Sequence, residues 1–352
     1  MVERGVRIGF VGVGRMGQCA HLRNYVAVPG CRVAAIADPR QATAQRVAER
    51  YGVPKVYADA AAMLAREDLD ALVACQPFTR HGVLLAELLK AGKPIFIEKP
   101  LAGTPEAGRA IVDAVAASGT WIMVGYHKRS DPATAYAVAK ISELRRSGEL
   151  GQMTSLRILM PAGDWVADGF ADLIDEGDQA PPMAEDPPSA EMGPELTETY
   201  RAFVNYYIHQ VNLARHLPGE PYSVEYAHPS GRVLVGTSAS GTPCVIEMSP
   251  YRTTIDWQES AMVTYERGYV KLELPAPLAR NRPGRVEVFH DPGGGATPET
   301  TVPQLPWVDA MRQQAMNFVA AVRGERAPVC DAAEALEDLL LARDFVRLWK
   351  GV

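Results

Sequence analysis

Gly12-Val13-Gly14-Arg15-Met16-Gly17 has the spacing G-x-G-x-x-G, between the apolar run Val6–Val11 and an amphipathic stretch that begins at Gly17. In a strand–turn–helix setting the first glycine makes the turn and the second lets a pyrophosphate approach the backbone. The third lets the helix pack on the strand. The helix start then offers free N–H groups and the positive end of its dipole to the phosphates. Asp38 follows about 20 residues after Gly17, where a carboxylate accepts ribose hydroxyls. Such a carboxylate repels a 2′-phosphate and favours NAD, while Arg40 beside it leaves NADP open. A third chemical feature is Ile97-Glu98-Lys99-Pro100: Lys99 carries a cation at a strand end, and the proline holds it in extended or turn geometry.

These residues need a scaffold, and the first 125 residues supply an alternating one. Val6–Val11, Arg32–Ala37, Ala71–Cys75, Pro94–Ile97 and Trp121–Val124 read as strands. Gly17–Val26, Gln41–Tyr51, Ala60–Ala65, Gly82–Ala91 and Pro105–Ala117 read as helices between them. Such alternation predicts right-handed crossovers and a parallel sheet covered on both faces, with ligands at the carboxyl ends of the strands. Beyond about residue 130 the pattern changes. A helix near 133–147 and a strand at 153–160 precede a long polar segment and a helix near 197–216. Successive strands between 222 and 290 then suggest an open antiparallel sheet, and helices near 308–323 and 331–350 follow. The expected division is an α/β domain over 1–128 and an α+β domain over 129–352, with the last helices able to pack back on the first.

Composition narrows the class. The 352 residues exceed what one hydrophobic core fills. A net charge of −6 gives no reason to expect nucleic acid or an anionic membrane as partner. No apolar run is long enough to span a bilayer, and no secretory leader is visible. Five scattered cysteines without a C-x-x-C pair point to reduced thiols in the cytoplasm and to no metal site.

With the glycine turn and Glu98-Lys99-Pro100 stand Gln76-Pro77-Phe78-Thr79-Arg80-His81 and Gly125-Tyr126-His127-Lys128-Arg129-Ser130-Asp131-Pro132. On these residues the chain resembles the glucose–fructose oxidoreductase/inositol dehydrogenase (Gfo/Idh/MocA) family over essentially its whole length. The resemblance implies a Rossmann domain followed by an α+β domain with an open, mostly antiparallel sheet. It implies an NAD(P)-dependent oxidoreductase acting on CH–OH. Gln76, Pro77, His81, Glu98 and Lys99 would join Gly12, Gly14, Arg15, Met16, Gly17, Asp38 and Arg40 around the cofactor, with Lys99 beside the reacting hydroxyl. The family's D-x-G-x-H helix corresponds to Asn205-Tyr206-Tyr207-Ile208-His209, so His209 takes the acid/base position and Asn205 replaces the aspartate. Asparagine can hold a hydroxyl but carries no charge to raise the pKa of the histidine. His127 and Lys128 are further candidates for substrate contact.

Residues 159–199 hold eleven acidic side chains and no Lys, Arg or His, among them Asp164, Asp168, Asp172, Asp175, Glu176 and Asp178. If this segment lines the substrate pocket, its field favours an aminated sugar, an aminocyclitol or an aminoglycoside over a neutral polyol. If it is a solvated acidic loop, it says nothing of the substrate. Trp165 could stack on a sugar face. The expected reaction is hydride transfer between a ring secondary alcohol of a sugar, cyclitol or amino sugar and NAD. A catalytically silent NAD/sugar-binding regulator and an NAD-dependent glycosidase are the alternatives. The open sheet predicts a homodimer or homotetramer.

Overall fold

In the computed structural model, which describes residues 5–248 and 251–352, the chain forms two compact units. The first comprises the chain up to Tyr126 together with Asp168–Arg201 and Met311–Leu339. The second comprises His127–Ala167, Ala202–Ala310 and Leu340–Val352. A single division at 128/129 therefore describes only part of the arrangement. Residues 168–201, assigned from sequence to the second domain, pack with the first, as do 311–339.

The first unit is built on six parallel strands: β1 (Val6–Val11), β2 (Cys31–Ala37), β3 (Val56–Tyr57), β4 (Ala71–Ala74), β5 (Ile95–Glu98) and β6 (Ile122–Gly125). Their order is β3-β2-β1-β4-β5-β6. Strands β4, β5 and β6 are buried throughout, which explains their unbroken apolar character. The order reverses direction between β1 and β4, and at such a point the carboxyl ends leave a crevice. Gly12, Asp38 and Lys99 follow the carboxyl ends of β1, β2 and β5.

Beyond the glycine turn the chain takes a π-helical turn, Gly17–Leu22, where the sequence predicts an α-helix, and only then α1 (Arg23–Tyr25). α2 (Gln41–Tyr51), α3 (Ala60–Leu64), α4 (His81–Leu88) and α5 (Pro105–Ser118) follow. α5 shows its signals plainly: Thr104 Oγ1 accepts from the Ala107 N–H at 3.2 Å, Pro105 opens the helix, and Gly119 at φ 68° ends it. Inside, Tyr25, Phe96 and Phe318 meet edge to face at 5.8–6.3 Å, so the stretch 311–339 supplies part of this core.

The second unit carries an eight-stranded sheet of β7 (Met153–Leu159), β8 (Tyr222–Ala227), β9 (Val233–Ser238), β10 (Pro243–Glu247), β11 (Ser260–Tyr265), β12 (Gly268–Glu273), β13 (Arg285–His290) and β14 (Glu299–Thr301). The order is β14-β13-β12-β11-β7-β10-β9-β8, and every neighbouring pair except β7/β10 is antiparallel. Burial alternates residue by residue along β9 and β11, the signature of a sheet with one covered face. The remaining helices are α6 (His127–Ser130), α7 (Pro132–Ser147), α8 (Gly193–His216), α9 (Ala310–Val322) and α10 (Ala332–Lys350). α7 lies against β12 and β13. Before α10, Asp331 Oδ1 accepts from the Glu334 N–H at 2.9 Å and Glu334 Oε2 accepts from the Asp331 N–H at 3.3 Å, a reciprocal capping box. No described helix is long and apolar enough to cross a membrane.

Candidate functional site

The three glycines of the turn differ in what forbids a side chain. A Cβ on Gly12, whose φ is +92°, would lie 2.4 Å from the Cys75 carbonyl oxygen. One on Gly17 would lie 2.2 Å from the Gly12 oxygen. Gly14 has open space instead: its nearest neighbour would be Arg40 Nη2 at 3.9 Å. Packing does not require glycine there, but a group approaching the backbone from outside does. The cradle therefore fits a dinucleotide pyrophosphate on this structure's own geometry. Arg15 is exposed and Met16 half-buried beside it.

Asp38 is 2% exposed, yet its carboxylate is fully engaged. Oδ2 accepts from the Val13 N–H and from Arg40 Nη2, both at 2.8 Å, and Oδ1 accepts from the backbone N–H and Nε of Arg40. The hydrogen bonds it donates to Asp38 raise the pKa of the Arg40 guanidinium, against burial, and the charges of Asp38, Asp175 and Asp178 add to the effect. Asp38 thus ties the glycine turn to the end of β2, and a ribose reaching it would compete with Arg40.

At the end of β5 the Glu98 side chain points inward. Oε1 lies 2.5 Å from His21 Nε2, on the π-helical turn, and Oε2 accepts from the backbone N–H of Lys99 at 2.9 Å. Burial pushes the Glu98 pKa up, but the hydrogen bond and charge of His21, with the charge and N–H of Lys99, bring it below the usual glutamate value. Glu98, expected at the cofactor, instead has both oxygens engaged within the protein, while Lys99 is half-buried. His81 is likewise internal. Its ring nitrogens face the carbonyls of Leu101 at 3.1 Å and Gln76 at 3.3 Å, and burial lowers its pKa. Gln76 accepts from Arg80 at 2.8 Å and its amide lies over Gly12, and Pro77 is exposed.

In the second unit, His209 projects from α8 one turn after Asn205, which is exposed. The rings of His209 and His127 meet edge to face at 4.4 Å, and both residues are buried. Next to His127, the Lys128 ammonium forms an ion pair with Glu259 and lies 5.7 Å from the centre of the Trp257 ring. Glu259 also accepts from Gln210 Nε2 at 2.6 Å. Lys128, a candidate for substrate contact, is thereby committed to holding α6 to the strand entrance at Glu259. Asp131 caps α7 through the Ala133 N–H and also accepts from the Gly284 N–H. Burial pushes its pKa up to about 6, against those hydrogen bonds. Asp164 closes a local turn by accepting from the N–H groups of Val166 and Ala167, and the Trp165 carbonyl accepts from the Leu278 N–H.

Part of the acidic segment is solvated, with Asp168, Glu185 and Glu195 exposed. Other carboxylates bind groups of the first unit. Asp172 pairs with Arg50 at 3.1 Å and Glu191 with Arg109 at 3.0 Å. Asp186 accepts from the Gly82 and Val83 N–H groups at the start of α4, both at 3.0 Å. Asp178 does the same at the start of α2. The charges of these four carboxylates are matched by guanidinium groups and helix starts, so they are not the ones that would draw an aminated substrate. Among the described residues no cluster of three metal-ligating side chains occurs, and no disulfide joins any of the five cysteines.

Sequence reasoning did not single out His21, Gln210, Glu259 or the capping roles of Asp178 and Asp186. His21 alone had a local signal, a polar residue among the apolar Cys19, Ala20 and Leu22.

Comparison with known proteins agrees with this architecture. The model of the Gfo/Idh/MocA oxidoreductase family, described by its NAD-binding Rossmann fold, matches residues 6–126. A scyllo-inositol 2-dehydrogenase (NAD(+)) of Bacillus subtilis (strain 168) is 30% identical over 234 residues, which cover 66% of this chain and 59% of that protein. An inositol 2-dehydrogenase of Rhizobium meliloti (strain 1021) is 27% identical over 357 residues, 97% of this chain and 96% of its own. The structure of an apo scyllo-inositol dehydrogenase from Lactobacillus casei shares the fold, with a TM-score of 0.69 over 100% of this chain and 98% of that one at 17% identity. The strand order, the open cradle at Gly14 and these matches together lead to one assignment: residues 6–126 form the NAD-binding Rossmann domain of the Gfo/Idh/MocA oxidoreductase family, and the chain as a whole is similar to inositol 2-dehydrogenase.

Proposed function

We propose that this protein is an NAD-dependent dehydrogenase that transfers a hydride between a ring secondary alcohol of a cyclitol or sugar and the nicotinamide. The observation that carries the reading is in the first unit. Lys99 follows β5 on the same carboxyl edge as the glycine cradle, with its backbone N–H held by a buried carboxylate. Names of relatives support the substrate class, since two that align with this chain are inositol 2-dehydrogenases.

The turn around Gly14 would hold the pyrophosphate and Asp38 the ribose, and the nicotinamide, once bound, would supply the hydride acceptor. The Lys99 ammonium stabilises charge developing on the substrate oxygen, and His209 removes the hydroxyl proton in oxidation and returns it in reduction. Asn205, one turn from His209, can orient a hydroxyl without titrating. Because Asp172, Asp178, Asp186 and Glu191 are matched within the first unit, the substrate we favour among cyclitols, sugars and amino sugars is a neutral polyol. Cytoplasmic location and a homodimer or homotetramer formed through the open sheet belong to the same proposal.

The test is a screen of cyclitols, neutral sugars and amino sugars with NAD and NADP, following absorbance of the reduced nicotinamide. Turnover of a neutral polyol that Lys99→Ala abolishes supports the reading. NAD binding without turnover of any polyol overturns it in favour of a regulator. Release of an aglycone without net cofactor reduction indicates glycosidase chemistry.

A further inference from the structure

The helix that follows the ribose-binding strand is capped by a residue far along the chain. Arg40, at the N-cap position of α2, makes no side-chain capping bond. The Ala42 N–H donates to Asp178 Oδ2 at 2.9 Å, the Thr43 N–H to both Asp178 oxygens at 3.3 and 3.4 Å, and Thr43 Oγ1 to Asp178 Oδ1 at 2.5 Å. The segment bearing Asp178 is anchored on the glycine-turn side as well. The Gln18 amide donates to the Ile174 carbonyl at 2.9 Å and accepts from the Ile174 N–H at 3.1 Å. The Glu176 N–H donates to Thr43 Oγ1 at 3.1 Å.

A 2′-phosphate on the adenosine ribose needs donors next to the residue that reads the ribose, here Asp38. Two sets are close enough in sequence: the Arg40 guanidinium and the first N–H groups of α2, where the helix dipole favours an anion. Asp38 holds the first through Nε and Nη2. Asp178 holds the second, and the hydrogen bond from Thr43, with those from the backbone N–H groups, keeps its pKa low, so it remains an anion. The charges of Asp175 and Asp178 both act on Arg40.

We propose that Asp178 is a specificity-determining residue that excludes NADP, by occupying with its own carboxylate the helix start that a 2′-phosphate would need. The segment 168–201 thereby contributes to cofactor selection. This rests on NAD binding at the glycine turn, and the experiment separates the two.

Equilibrium binding of NAD⁺ and NADP⁺, by calorimetry or protein fluorescence, is compared for the parent, Asp178→Asn and Asp178→Ala. Asparagine keeps a capping oxygen and removes the charge, whereas alanine also frees the N–H groups. Asp178→Ala is expected to tighten NADP⁺ binding about tenfold, with NAD⁺ unchanged within about twofold and Asp178→Asn between the two. The difference between parent and Asp178→Asn shrinks as salt is raised, since the repulsion is solvent-exposed. An unchanged ratio of NADP⁺ to NAD⁺ affinity in both variants overturns the proposal. A parent that binds neither nucleotide overturns the cofactor reading itself, and the proposal with it. Asp178→Asn, with its cap intact, keeps the test valid if Asp178→Ala loosens the fold.

Discussion

His21 and Glu98 meet at 2.5 Å in the interior of the first unit, joining the π-helical turn after Gly17 to the strand end that carries Lys99. With the Glu98 carboxyl held below its ordinary pKa, the carboxylate accepts and His21 Nε2 donates. Glu98→Gln keeps the shape and removes the charge, and should cost about 3 kcal/mol in denaturant unfolding, the scale of breaking a buried pair. The sign with pH follows from the depressed folded value. The contribution of the carboxylate is fully present above the unfolded value of 4.5 and is lost as pH falls through the lower folded one. The advantage of the parent over the variant should therefore be flat from near-neutral pH down to about 5 and shrink at more acidic pH. An advantage that persists undiminished into strong acid would refute the assignment.

Gly14 and Gly17 should fail in different ways. At Gly17 an added methyl meets a backbone oxygen at 2.2 Å, so Gly17→Ala should destabilise the protein by about 2 kcal/mol. At Gly14 the space is open. Gly14→Ala should unfold within about 0.5 kcal/mol of the parent yet bind NAD⁺ about tenfold more weakly or worse. Equal loss of stability in both variants would mean that the opening at Gly14 is not kept for a ligand.

Lys128, Glu259 and Gln210 form a buried network beside the pair of histidines. Glu259→Ala strands an ammonium in the interior and should cost about 3–5 kcal/mol. In Lys128→Met combined with Glu259→Gln the charges leave together, so the double variant should lose much less than the sum of the single variants. Additive losses in a double-mutant cycle of unfolding free energies would show that the two groups do not depend on each other.

Asp131 has the opposite sign to Glu98. Its folded pKa is raised from 3.8 to about 6 because burial outweighs the N–H groups of Gly284 and Ala133. Between those values the native state holds the extra proton, so stability falls as pH rises through the window. Asp131→Asn keeps an acceptor for the cap without the charge. Relative to this variant, the parent should lose on the order of 3 kcal/mol between pH 4 and pH 7. A difference independent of pH would refute it.

The parts of the site that the sequence revealed are those in which chemistry and spacing coincide within one supersecondary unit. The glycine turn, Asp38 and Lys99 all follow strands whose apolar runs and intervening helices are legible by period, and the structure places them at the same sheet edge. What escaped depends on partners distant in the chain. Nothing around Asp178 or Asp186 indicates that each will cap a helix start more than a hundred residues earlier, because an acidic loop reads the same whether solvated or engaged. Glu259 is equally silent until Lys128 is folded against it. β3 and β14, of two and three residues, are too short for any period to form. The π-helical turn escaped because its residues have ordinary helical spacing, and the wider turn shows only in the backbone.

The three-part make-up of the first unit bears on how the protein is born. A nascent chain that has emerged as far as Tyr126 carries all six strands of the first sheet but not Phe318, whose ring closes the aromatic core. Nor does it yet have the Cys330 carbonyl that receives the Val124 N–H at 2.9 Å. Of the two units, the one whose sheet is translated first is thus completed only after most of the other. Until the ribosome has passed Leu339, its sheet keeps apolar surface uncovered, the condition in which incomplete domains are prone to associate.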